Sequence, residues 1–174
     1  MLHEDAKFVE DTGKQLSSVV VNNELHSRNI WKCYFDGAYS KESAGVGFLL
    51  ISPEGNLMPF SFKLEFDSTN NVVEYMALIS SLQVAKQMGV QCISIFGDSE
   101  LIIMQIKNHC QTKHLRLRSY RNEVWDLVEN YFEAFNLQYF PREENRLANS
   151  LAVAANTFKP PINPRLRYEI EVRH

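Results

Sequence analysis

Residues 31–56 read WKCYFDGAYSKESAGVGFLLISPEGN. The first nine alternate in character. In a strand, Cys33 and Phe35 fall on one face and Tyr34 and Asp36 on the other. GVGFLLIS (45–52) is a continuous apolar run, as a central strand shows when both of its faces are covered. PEGN (53–56) has the composition of a hairpin turn, and LMPFSFKLEF (57–66) follows as a third strand, whose Pro59 marks an edge or a bulge. Within this apolar frame Asp36 is the odd member. A carboxylate beside a core is costly unless something binds it.

Beyond residue 66 the period changes. STNNVVEYMALISSLQVAKQMG (68–89) places Val73, Met76, Ala77, Ser80 and Val84 on one helical stripe; Thr69 or Asn70 can cap its start and Gly89 can end it. QCISIFGD (91–98) reads as a short buried strand. SELIIMQIKNH (99–109) reads as a helix capped by Ser99 or Asp98, and residues 118–135 as a longer amphipathic helix. NLQYF (136–140) is the last strand, and NRLANSLAVAANTF (145–158) the closing helix. Three antiparallel strands followed by strands alternating with helices predict an α/β domain: a five-stranded mixed sheet flanked by helices.

The 174 residues are enough for one domain with tails, and 45% apolar content supports a real core. We expect the domain at residues 30–158, with 1–29 as an N-terminal tail or linker and 159–174, which holds Pro160, Pro161 and Pro164, as a second linker. A net charge of −3 restricts any nucleic-acid contact to a local patch. Three well-separated cysteines, Cys33, Cys92 and Cys110, argue against a disulfide frame or a zinc site and fit a reducing compartment. No apolar run approaches the ~18 residues that would span a bilayer. The charged start MLHEDAKFVED differs from a signal peptide, so we expect an intracellular protein with no membrane partner.

Three acids stand at informative places: Asp36 in the first strand, Glu74 near the start of the first helix, and Asp98 at the strand-to-helix junction after Gly97. Gly97 would let the chain turn sharply there and leave room beside the carboxylate. Taken singly, Glu74 reads as solvated helix surface and Asp98 as a cap. Taken together, three carboxylates repel one another and hold raised pKa values unless a hard divalent cation joins them. Two such ions about 3.5–4 Å apart would share one carboxylate, and Asp36 is the candidate.

These motifs resemble type 1 ribonuclease H over roughly residues 31–157. YFDGAYS resembles the family's first-strand motif, STNNVVEYMAL its asparagine pair followed by glutamate, and IFGDSELII its strand-ending aspartate. The resemblance implies Asp36, Glu74 and Asp98 as ligands of Mg2+, with Mn2+ as a substitute. It also implies a ribonuclease H-like fold and two-metal hydrolysis of the RNA strand of RNA–DNA hybrids. The fourth motif departs from the family. ENRLANSLA (144–152) carries Asn149 where the family has aspartate, with Asn145 and Ala148 in their usual places. Asn149 is therefore carried over as the fourth catalytic position, without its charge. Two readings stand: an enzyme weakened there, or a degenerate module that binds nucleic acid or a protein. The segment YFPREENR lacks the family's loop histidine. Its short form, and the absence of a long basic insertion after the helix that follows Asp98, resemble the ribonuclease H domains of archaea and of gypsy-class plant retrotransposons; FDGAYSKESAGVGFLLISPEG and TNNVVEYMAL are most similar to the retrotransposon polyproteins. There a reverse transcriptase or an integrase would be a tethered neighbour of a monomeric domain.

For the hybrid, Asn70 and Asn71, four and three residues before Glu74, suit contact with ribose 2′-hydroxyls, although either could simply cap the helix. Gly37 and Ser99 are assigned to the substrate with them. Lys113, Arg116, Arg118, Arg121, Arg142 and Arg146 could hold DNA phosphates, or be an ordinary solvated face. His114 is given no catalytic role.

Overall fold

The computed structural model describes residues 6–10, 17–21, 29–64, 69–107 and 115–157. Strands β1 (Ala6–Glu10) and β2 (Ser17–Val21) precede β3 (Ile30–Tyr39), β4 (Ala44–Ile51) and β5 (Leu57–Leu64). Helix α1 (Asn70–Gln87), β6 (Cys92–Gly97), α2 (Glu100–Ile106), α3 (Leu115–Tyr131), β7 (Ala134–Tyr139) and α4 (Arg146–Thr157) complete the order.

All strands join one sheet in the order β1-β2-β7-β6-β3-β4-β5. β3, β4 and β5 form the antiparallel meander, while β6 pairs parallel with both β3 and β7. These five are the mixed sheet the sequence predicts. Beside them, the stretch read as an N-terminal tail contributes a hairpin, with β2 antiparallel to β7. Among the described residues β5 is an edge strand, which is where Pro59 is tolerated. Cys110, Lys113, His114 and the proposed C-terminal linker lie outside the described residues, as do the side chains of β1 and β2.

Strand alternation assigns the helices to faces. Cys33 and Phe35 are fully buried. The next residue on their side, Gly37, faces α1: a side-chain carbon there would stand 2.7 Å from Val73 Cγ1. Asp36 points the opposite way, to α4. Phe35 pairs with Phe48 across the ladder, and Phe48 stacks on Phe60 at 4.9 Å, extending the α1-side core to the edge.

Helix α1 is buried nearly all round rather than along one stripe, including Ser80 and Ser81. It lies between the sheet and α3, where the Tyr75 and Tyr120 rings stack at 6.2 Å and Tyr75 Oη donates to Gln105 Oε1 at 2.7 Å. Ser81 Oγ satisfies itself on the Leu78 carbonyl at 2.6 Å, so small hydroxyls serve as close-packing residues there. Thr69 is the N-cap. At the other end Gly89, at φ +78°, closes the helix: its N–H bonds to Lys86 O and that of Val90 to Ala85 O.

Both ends of one helix differ from the sequence reading: it begins at Leu115 rather than 118. The helix expected over 118–135 ends at Tyr131, and Ala134 and Phe135 belong to β7. Their apolar spacing continues the helical pattern, but their backbone groups pair with Cys92 and Ile93 of β6.

Candidate active site

The sheet's central strand, the start of α1 and the end of β6 converge on one point. One carboxylate oxygen from each of Asp36, Glu74 and Asp98 lies within 4.8 Å of the others. Each arrives by a different local device. Asp36 sits where β3 turns its polar face to α4. Glu74 is brought in because α1 presses onto Gly37, whose missing side chain lets Val73 backbone atoms approach to what would be 2.9 Å of a Cβ. Asp98 follows the last residue of β6. Gly97 just before it works differently from expectation: its φ is not positive, and its missing side chain makes room for the ring of Phe35.

The site is dry. Asp36 is 2% exposed and Glu74 8%, so the reading of Glu74 as solvated helix surface is overturned. Among the described residues, Glu74 Oε2 is buried with no hydrogen-bond partner. Burial, helped by the charge of Asp36, a hydrogen bond with it and the charge of Asp98, pushes the Glu74 carboxyl up to about 9. Asp98 is raised too, by burial and then by Asp36, while its bond from Asn145 and the nearby Arg142 pull the other way. A carboxylate trio with an orphaned oxygen is an all-oxygen donor set short of positive charge, which fits a hard divalent cation.

Asn149 joins the trio from α4. Its Nδ2 donates to Asp36 Oδ2 at 2.8 Å, while the backbone N–H of Gly37 donates to Asp36 Oδ1 at 2.9 Å. The helix that carries it is fixed tightly. A side-chain carbon on Gly47 would collide with Ala148 O and Leu151 Cβ at 2.6 Å, and Ser61 Oγ donates to Leu151 O at 2.6 Å.

The sequence reading omits Asn145 from the site. This residue is 2% exposed, and its Nδ2 reaches both Phe35 O at 2.9 Å and Asp98 Oδ2 at 3.2 Å. It ties the β3 backbone, the strand-ending aspartate and the start of α4 together. Its place in the fourth motif was the available signal.

The remaining candidates divide. Asn70 is exposed and Asn71 half-buried on the first turn of α1; Thr69 rather than either caps the helix, its Oγ1 accepting from Val72 N at 3.4 Å. At three and four residues before Glu74 both share its side of the helix. Ser99 caps α2, its Oγ accepting from Ile102 N at 3.4 Å. Gly37 borders Asp36 while its α carbon abuts Val73. Arg118, Arg142 and Arg146 are exposed.

With this geometry in hand, comparison with known proteins is decisive for the family. The profile of the family described as reverse transcriptase-like matches residues 34–155. The chain belongs to that family. Ribonuclease HI of Halobacterium salinarum is 33% identical over 121 residues, which cover 68% of this chain and 60% of that protein. The chain thus spans less than two thirds of this relative. The crystal structure of RNase H1 from the same archaeon superposes with a TM-score of 0.68 at 32% identity, over 72% of this chain and 96% of that one. LC11-RNase H1, solved in complex with an RNA/DNA hybrid, gives 0.66 at 25% identity, over 72% and 96%. The domain is ribonuclease H-like, with RNase H1 homologues and their five-stranded mixed sheet.

Proposed function

We propose that this chain is an endonuclease that hydrolyses the RNA strand of RNA–DNA hybrids with the help of divalent cations, Mg2+ or in its place Mn2+. The observation that carries this reading is the meeting of Asp36, Glu74 and Asp98 within 4.8 Å, from three separate elements, around a buried carboxylate oxygen that has no hydrogen-bond partner among the described residues. When bound, the cation supplies charge neutralisation and Lewis acidity at the scissile phosphate. The protein's own residues do the rest. Glu74, Asp98 and Asp36 would hold the ion, Asp36 being the carboxylate that a second ion would have to share. Asn145 keeps Asp98 turned inward. Asn70 and Asn71, not needed as caps, are available for ribose hydroxyls, which mark the RNA strand. Arg142 and Arg146, beside the start of α4, provide cationic contact for phosphates.

The similarity to an RNase H1 solved with an RNA/DNA hybrid supports the substrate class. We further propose a retroelement polyprotein of the gypsy class, with a reverse transcriptase or integrase tethered to the domain, on the resemblance of its motifs; the family's reverse transcriptase-like description agrees with a retroelement setting in general. A reverse transcriptase in the neighbouring coding sequence tests that origin.

A second reading is favoured by one observation. Asn149 places an amide, not a charge, on Asp36, as expected of a module that keeps the fold and binds nucleic acid with reduced catalysis. Cleavage of an end-labelled RNA–DNA hybrid in Mg2+ and in Mn2+ separates the two, using the parent, Asn149→Asp and Asp36→Asn. Metal-dependent cleavage by the parent that Asp36→Asn abolishes supports the enzyme. A silent parent rescued by Asn149→Asp supports the module. Silence of both in both metals refutes hybrid hydrolysis.

A further inference from the structure

Asn149 does more than omit a charge. Asp36 has both carboxylate oxygens engaged by donors of the protein itself, Oδ1 by the Gly37 N–H and Oδ2 by the Asn149 amide. An ionised carboxylate only accepts, so the amide must present its NH2 to it and not its own oxygen. The positive end of the Asn149 amide therefore occupies the α4 side of Asp36, where a cation would need an anionic oxygen, while the Gly37 N–H also reaches Glu74. Glu74 reaches Asp36 from α1, and Asp98 joins them from the end of β6, held by Asn145 at the start of α4; among the described residues Glu74 Oε2 has no hydrogen-bond partner. Asp36 thus meets carboxylate oxygens from α1 and the end of β6, and the positive end of an amide from α4. The stopper cannot retreat with its helix, because the Gly47 contact and the Ser61 bond to Leu151 O fix α4 on the sheet. Only rotation of the Asn149 side chain, at the cost of a charge-assisted hydrogen bond, opens that flank.

The geometry points to Asn149 as a built-in stopper on the oxygen that two ions would share. At rest the chain takes a single divalent cation between Asp36, Glu74 and Asp98, and none on the α4 side. This rests on the acidic trio being a cation site, as proposed above.

Titration of the full chain with Mn2+ alone, without nucleic acid, tests this by calorimetry and by the electron-spin resonance of free Mn2+. The chains are the parent, Asn149→Ala, Asn149→Asp and, as baseline, Asp36→Asn; circular dichroism verifies that each is folded. We expect about one ion per parent chain above the baseline, and about two in both Asn149 variants, with the alanine variant's second ion the weaker. Asn149→Ala is decisive, because it removes the amide and adds no charge. If it stays at one ion while Asn149→Asp takes two, the missing charge alone explains the site and the stopper is refuted. Two ions in the parent refute it also. No ion in the parent above the baseline refutes the cation site itself, and with it the stopper, a pattern distinct from the others. Should Asn149→Asp fail to fold, the alanine variant still decides.

Discussion

Replacing Glu74 by glutamine should stabilise the cation-free protein, although it removes a residue proposed to be essential. Burial and the neighbouring acids raise the Glu74 carboxyl from 4.5 to about 9 in the folded chain. Between those values the folded state holds a proton that the unfolded state has lost. Stability therefore falls as pH rises through that window, by up to ~1.4 kcal/mol per unit. At neutral pH the interval above 4.5 is 2.5 units, so the ionisable side chain costs at most about 3 kcal/mol relative to a permanently neutral one. Glutamine is that neutral group, with nearly the same shape, and its amide can donate to Asp36. For a chain of this length the gain corresponds to a rise in Tm on the order of 5–10 °C. The assay is thermal unfolding followed by circular dichroism, in chelator, from mildly acidic to mildly alkaline pH. The gap between variant and parent should be near zero close to pH 4.5, widen with rising pH, and level off near 9. Excess Mg2+ should raise the parent's Tm and leave the variant's nearly unchanged. A variant less stable than the parent at neutral pH in chelator would refute the reasoning, as would a gap that does not vary with pH.

The packing around the site yields three further expectations. Gly37→Ala puts a methyl group 2.7 Å from Val73 Cγ1 and 2.9 Å from the Val73 carbonyl, so it should cost about 1–3 kcal/mol in denaturant unfolding. It should also weaken Mn2+ binding, because α1 and Glu74 must move away; unchanged Mn2+ affinity would count against Gly37 as the contact that seats Glu74. Gly47→Ala meets α4 more closely, against Ala152 N and at 2.6 Å from Ala148 O, so its loss in Tm should exceed that of Gly37→Ala. Asn145→Ala leaves the buried Phe35 carbonyl without its donor, a loss of about 1–3 kcal/mol, and should move the Asp98 titration in NMR further upward. A downward move would mean that Asn145 does not stabilise the ionised form.

Much of this architecture was legible from local pattern. The change from alternation in WKCYFDGAY to helical spacing after Ser68 is a property of neighbouring residues, and so marked the order of β3 to α4. Asp36, Glu74 and Asp98 stood out because each interrupted such a pattern or ended an element. The helix-to-strand boundary near Ala134 did not, because the apolar spacing there suits both structures and only the ladder to β6 selects between them. The hairpin of β1 and β2 depends likewise on an open edge at β7, supplied by residues more than a hundred positions away.

By itself, then, the sequence determined the succession of strands and helices, the acids able to form a cation site, and the position where a fourth acid is missing. Tertiary structure alone decided the burial of Glu74, since its surroundings come from β3 and β6 and not from its own helix. It alone decided that Asn145 braces Asp98, and that the Asn149 amide lies on Asp36 across 113 positions of chain. The physical reason is range. Periodicity and capping are written in adjacent residues. Desolvation, like-charge repulsion and hydrogen bonds across the site exist only once distant segments have been packed together.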